Sequence, residues 1–236
     1  MPEIITLYHG STRIIEKPEF GKGNPHNDYG LGFYCTENLE LAKEWACVSR
    51  SGGFANTYSL DLSDISVLEL FHPEYGLLEW LSVLVNNRVF DITSQLAAEA
   101  REYLTEYFLP DISMYDAIRG YRADDSYFAF AMDFLSNVIS LRQLGRAMSL
   151  GSLGEQFMLR SRKGFDLLRF TGSEPADGEI YSTKRRKRDK DAREQYFRHE
   201  RGAARSRDDV FMLDVVREEM KRDDPRLQRD IPAECR

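Results

Sequence analysis

The period of the apolar residues changes along this chain, and that change constrains the fold more than any single motif does. Residues 4–8 alternate weakly, 33–36 read as a short strand, and Tyr58, Leu60 and Leu62 alternate ahead of a further strand at 67–70. The middle is different. Leu77, Leu78, Leu81, Leu84 and Val85 recur at helical spacing, as do Leu96, Ala100, Tyr103, Leu104, Tyr107 and Phe108. Tyr127, Phe128, Ala131, Phe134, Leu135 and Val138 form a third stripe, and Leu141, Leu144, Ala147 and Met148 a fourth. Strand character returns at 156–161 and 167–170, and Phe211, Met212, Val215 and Val216 predict a last amphipathic helix. There is no regular alternation of strand and helix, so the expected class is α+β. It is read as a single domain over 1–236, with a mainly helical insertion at 74–150 and a charged helical tail at 184–236.

Composition supports a packed core. The chain has 236 residues, 42% hydrophobic and 30% charged, enough apolar side chain for one domain with appendages. No apolar run approaches the ~18 residues of a membrane-spanning helix. The first residues, Met1-Pro2-Glu3-Ile4-Ile5, lack the basic and apolar regions of a signal peptide, so the expected location is the cytoplasm, with no membrane partner. Cys35, Cys47 and Cys235 are too scattered for a disulfide framework or a zinc site, and no metal is expected. The formal net charge is −7, but residues 184–207 carry 11 Lys/Arg against 4 Asp/Glu. An acidic body with one basic segment does not attract nucleic acid as a whole. The basic segment is either a solvated helix face or a local docking strip for nucleic acid or an acidic protein.

Four short segments stand out. They are Leu7-Tyr8-His9-Gly10-Ser11, Gly30-Leu31-Gly32-Phe33-Tyr34-Cys35-Thr36, Ala42-Lys43-Glu44-Trp45-Ala46 and Gly154-Glu155-Gln156-Phe157. The first ends a predicted strand and opens a loop rich in Gly, Pro, Asn and Asp over 11–31. The third lies on a predicted helix with Asn38 as its N-cap. Each alone has an ordinary reading: a turn histidine, a bent strand end, a core tryptophan, an edge glutamine. Asp124 or Asp125, ahead of the Tyr127 stripe, reads equally as a helix cap.

In this order and spacing the four segments resemble the ADP-ribosyltransferase superfamily of the diphtheria-toxin and poly(ADP-ribose) polymerase type. More closely, the chain resembles a bacterial family known as domain of unknown function 3990. That likeness extends through Gly120-Tyr121-Arg122-Ala123-Asp124-Asp125 and the tail Asp214-Val215-Val216-Arg217-Glu218-Glu219-Met220. The resemblance implies a split mixed β-sheet and an NAD-dependent mono-ADP-ribosyltransferase, toxin-like or defence-related, with an unknown macromolecular acceptor and a small antitoxin-like regulator. It implies NAD as substrate, bound by His9, Gly10, Ser11, Tyr34 and Trp45. Tyr34 and Trp45 would sandwich the nicotinamide, the backbone of Gly10 would meet the carboxamide, and His9 would donate to a ribose hydroxyl. Arg122, Asp124 and Asp125 would lie on the substrate side. The third catalytic position holds Gln156 where the superfamily usually has glutamate. Either Gln156 orients the ribose and transfer is single, the preferred reading, or the adjacent Glu155 swings in as the acid. Water as acceptor, and an inactive NAD- or partner-binding module, are the rival expectations.

Overall fold

The computed structural model describes residues 3–70, 75–90, 92, 94–123, 125–150 and 154–228. Among these it is a mixed α+β structure with two sheets. β1 (Ile4–Ser11), β3 (Gly53–Asp61) and β7 (Arg169–Ala176) form an antiparallel sheet in the order β1-β3-β7. β2 (Phe33–Cys35), β4 (Val67–Glu69), β5 (Ala117–Tyr121) and β6 (Glu155–Leu159) form the other, in the order β2-β6-β5-β4. Only β4 and β5 run parallel. The sheets are joined where Tyr8 and Thr36 exchange backbone hydrogen bonds of 2.8 and 2.9 Å.

That junction explains one feature of β1. In an antiparallel ladder, alternate residues turn their N–H and C=O to opposite sides. Tyr8 faces β2, so Gly10, two residues on, also turns its backbone groups away from β3. They lie on the strand edge beyond the Tyr8–Thr36 junction.

Leu7, Phe33, Cys35, Tyr58, Leu60, Ala117, Phe157 and Leu159, drawn from both sheets, form one buried core. A larger core covers the other side of the second sheet. There Ile118 and Met158 meet α2 (Leu77–Asn87), α3 (Gln95–Tyr107), α4 (Asp125–Leu135), α5 (Leu141–Ala147) and α8 (Met212–Arg217). The stretch read as a helical insertion thus also carries β5. That strand hides from the sequence because it is buried on both faces: Ala117 joins one core and Ile118 the other, so the two-residue alternation disappears.

α1 (Leu39–Ala46) begins where expected, with the Asn38 side chain accepting from Glu40 N and Leu41 N. α6 (Arg162–Leu167), capped by Ser161, replaces part of the predicted 167–170 strand, which is displaced into β7. α7 (Gly178–Gln195) starts before the predicted tail and is capped by Asp177. A short α9 (Pro225–Gln228) follows α8. No helix among the described residues is long and apolar enough to cross a membrane.

α7 lies against α1. Lys184 pairs with Glu40 at 2.8 Å, and Arg188 pairs with the buried Glu44 at 2.7 Å. Two cations of the basic run are therefore committed to α1, while Arg186 and Lys187 stay exposed.

Candidate functional site

α1 and the long loop after β1 stand on either side of a cavity of about 750 Å³. β1 brings His9 and Gly10 to it, β2 brings Phe33 and Tyr34, α1 brings Trp45, and β6 brings Gln156. Arg122 and Ala123 reach it from the segment after β5, and Arg185 from α7. The loop supplies Arg13, Lys17, Lys22 and Asp28, and the end of α2 supplies Arg88. Six of the predicted site residues, His9, Gly10, Tyr34, Trp45, Arg122 and Gln156, thus converge from four elements and the segment after β5, spread over almost 150 residues.

The reason for glycine at position 10 is packing. A Cβ there would lie 2.0 Å from the Ala42 carbonyl oxygen, 2.6 Å from Ala46 N and 2.9 Å from Trp45 Cβ. Only glycine lets α1 press its backbone against β1, and that contact sets where Trp45 stands. Gly30 has φ +84°, a conformation that side chains strain to adopt. Its carbonyl accepts the Tyr34 hydroxyl at 2.7 Å, and that same hydroxyl accepts from Tyr29 N at 3.0 Å. Tyr34 is thereby held rigidly along the cavity wall. Burial pushes its phenol pKa well up, so it stays neutral.

His9 differs from expectation in the direction of its hydrogen bond. Its Nδ1 lies 2.7 Å from the Tyr34 carbonyl oxygen. A carbonyl only accepts, so Nδ1 carries the hydrogen and Nε2 is left as an acceptor in the neutral ring. Burial lowers the His9 pKa from its ordinary 6.5, which favours that neutral form. A ribose hydroxyl would donate to His9 rather than receive from it. The ring also stacks on Phe33, with centroids 4.3 Å apart.

A stability consequence follows. The unfolded chain takes up a proton near pH 6.5, while the folded His9 resists it to lower pH. The His9 contribution is therefore complete above about pH 6.5 and is lost as pH falls toward the folded value. In paired urea titrations, the stability difference between wild type and His9→Gln moves against the wild type from pH 7.5 to 5. A difference that stays constant across that range contradicts this.

Gln156 is buried and its amide nitrogen is fully committed. Nε2 donates to Asp28 Oδ2 at 2.9 Å and to the Tyr121 carbonyl at 3.1 Å. With both amide hydrogens used, its carbonyl oxygen is the atom that can still accept. Asp28 is only 5% exposed. Its Oδ2 also accepts from Ala123 N at 2.9 Å, and its Oδ1 lies 2.9 Å from Arg88 Nε. The Arg88 contact has the distance of an ion pair without the alignment of a hydrogen bond, and Oδ1 makes no hydrogen bond.

Trp45 carries a buried indole N–H with no hydrogen-bond partner. The Arg122 guanidinium lies 4.6 Å over its ring, a cation on an aromatic face. That face is thus covered in this conformation.

Other expected residues lie elsewhere. Ser11 is not part of the cavity wall. Its hydroxyl donates to the Arg13 carbonyl and accepts from Asn56 Nδ2 at 3.1 Å, shaping the start of the loop. Glu155 points away, into a second cavity with Glu37 and Arg119, where burial raises its pKa. Asp124 lies outside the described residues, and Asp125 opens α4.

The sequence reading named Arg122 but missed Asp28, Arg88 and the rest of the cationic lining. Arg13, Lys17, Lys22, Arg88, Arg122 and Arg185 face the cavity, against Glu19 and Asp28. The one available signal is Asp28 itself, two residues before Gly30 in a turn-rich loop. A basic cavity in a protein of net charge −7 is a strong local departure from the overall field.

Comparison with curated proteins and with solved structures gives no match for this chain. A family model described as "Protein of unknown function (DUF3990)" matches residues 5–170, which end within β7 and leave α7 and its Arg185 outside the matched stretch. With well over half its length matched, the chain belongs to the DUF3990 family.

Proposed function

We propose that this protein is an NAD-dependent mono-ADP-ribosyltransferase, cleaving the bond between nicotinamide and ribose and passing ADP-ribose to a macromolecular acceptor. The observation that carries the reading is the composition of the cavity between α1 and the loop after β1. Three aromatic side chains, Phe33, Tyr34 and Trp45, stand there with a neutral histidine, an acceptor amide, six cations and the carboxylates of Glu19 and Asp28. That set suits a ligand with flat rings, sugar hydroxyls and a doubly charged diphosphate. The volume also falls in the ordinary range for small-molecule sites.

The chemistry asked of the protein is modest in bonds and demanding in position. The C1′–N bond breaks, its electron pair leaves with nicotinamide, and the ribose carbon becomes an oxocarbenium-like cation. An acceptor lone pair then bonds to C1′ and the acceptor's proton passes to solvent. Holding the dinucleotide bent, with C1′ open on one side, accomplishes most of this. Tyr34, locked by two hydrogen bonds, is suited to define the pocket for the pyridine ring. The cation on the Trp45 face marks a place where a positively charged pyridinium would also be favoured, with Arg122 giving way to it.

The test is incubation of the full chain with NAD labelled in its adenylate half, together with cell lysate. Transfer of label to macromolecules with release of nicotinamide is expected. Both fall by about 100-fold or more in His9→Ala and Tyr34→Ala, variants first shown by thermal melting to be folded. Nicotinamide release with free ADP-ribose alone would identify water as the acceptor. No release at all contradicts the proposal.

A further inference from the structure

A site that develops positive charge on a ribose needs a negative charge nearby, and position 156 does not provide one. A neutral amide can accept from a hydroxyl, but it cannot offset a cation. The cavity nevertheless contains a buried carboxylate, and it touches Gln156. Asp28 Oδ2 receives the Gln156 amide at 2.9 Å and the Ala123 N–H at 2.9 Å. Asp28 Oδ1 is buried, faces Arg88 and makes no hydrogen bond. Resting on the transferase reading above, we propose that Asp28 is the carboxylate of this site. Asp28 and Gln156 divide between two side chains what one glutamate does elsewhere. Asp28 supplies the charge, and Gln156, held by Asp28, presents its carbonyl oxygen to the ribose hydroxyl.

The geometry also explains why residue 156 is an amide. A glutamate there would set a second carboxylate in contact with Asp28 Oδ2, where the amide nitrogen now donates. Two carboxylates sharing a site cannot both ionise readily, and one would take up a proton. The arrangement therefore accepts a carboxylate at 28 with an amide at 156, or the reverse, but not two carboxylates. The groups around Asp28 are the Arg88 and Arg122 guanidinium groups, which favour its ionised form, and the Tyr29 and Tyr34 hydroxyls, which burial keeps neutral. Burial outweighs the arginines and raises the Asp28 pKa above its ordinary 3.8. Loss of its charge on acidification thus begins at a higher pH than for a solvated aspartate.

The experiment is nicotinamide release by wild type, Asp28→Asn, Gln156→Glu and the double variant, with NAD affinity measured by calorimetry and folding by melting temperature. Asp28→Asn is expected to lower kcat about 100-fold while NAD affinity changes by less than about 5-fold. It also removes the acidic limb of the wild-type rate profile, a change that a merely structural aspartate would not produce. Gln156→Glu gains nothing over wild type. The double variant, with charge and amide exchanged, recovers at least about 10-fold over Asp28→Asn. Wild-type release that survives undiminished in a folded Asp28→Asn overturns this assignment alone, as does a folded, NAD-binding double variant no faster than either single variant. Absence of release from wild type overturns the transferase reading and this assignment with it.

Discussion

Replacing Arg188 with methionine is expected to cost about 3–5 kcal/mol of folding free energy. Glu44 is 3% exposed, and its Oε1 lies 2.7 Å from the Arg188 guanidinium. Removing the cation leaves a buried carboxylate on α1 without its close partner, the nearby Lys184 being exposed and paired with Glu40, and a buried charge stripped of its partner is far costlier than the loss of an exposed pair. In a chain of this size the loss corresponds to a fall in melting temperature on the order of 10 °C. The double variant Glu44→Gln/Arg188→Met is expected to recover most of it, because the stranded charge is gone. Arg186→Ala, on the exposed side of the same helix, stays within about 0.5 kcal/mol of wild type. Equal effects at 186 and 188 would contradict the view that α7 is clamped to α1 through Glu44. The contrast also assigns the basic run a structural task, since Arg188 and Lys184 are spent on α1 while Arg185 faces the cavity.

Gly10→Ala is the second large effect. An added methyl would sit 2.0 Å from the Ala42 carbonyl oxygen and 2.6 Å from Ala46 N, both backbone atoms of a helix that has no side chain to rotate aside. Relief requires α1 to move away from β1. Overpacking in a tight interior costs typically 1–3 kcal/mol, and a clash with backbone belongs at or above the upper end, at about 3 kcal/mol. The shift also carries Trp45 out of register with Tyr34 and His9, so NAD affinity falls by at least about 10-fold even at temperatures where the variant is folded. Gly172→Ala in β7 is the control, because nothing lies within 4 Å of a Cβ built there. It is expected to be neutral in denaturant titration and in ligand binding. A Gly10→Ala protein with wild-type stability and affinity would mean that α1 does not rest on β1 as described.

Much of this was legible before the fold was known, though for uneven reasons. α1 could be placed by its cap at Asn38 and its apolar spacing, because caps and periodicity are local properties. β5 could not, because a strand buried on both faces loses its alternation and lay among four helical stripes. His9, Tyr34, Trp45 and Gln156 were named through the resemblance of their four segments to a known superfamily, since each segment alone has an ordinary reading. Their chemical roles were not wholly legible. The acceptor character of His9 depends on a carbonyl 25 residues away, and the orientation of the Gln156 amide depends on a carboxylate 128 residues away. Asp28 and Arg88 left no periodic trace, since one lies in an irregular loop and the other just beyond a helix end. Only the folded chain brings them together at 2.9 Å. Gly10 was expected to matter through its backbone, as the group that would meet the carboxamide. Its packing role, the close approach of the α1 backbone, was visible only in three dimensions.

Soaking or co-crystallising the protein with NAD measures the central claim directly. The account predicts a bent dinucleotide in the cavity between α1 and the loop after β1. Its pyridine ring should stack against Tyr34 and Trp45, with Arg122 displaced from the indole face, a ribose hydroxyl should lie at the Gln156 carbonyl, and the diphosphate should sit among the lining arginines and lysines. A dinucleotide bound elsewhere on the protein, or one lying in this cavity with its pyridine ring remote from both aromatic side chains, would contradict it.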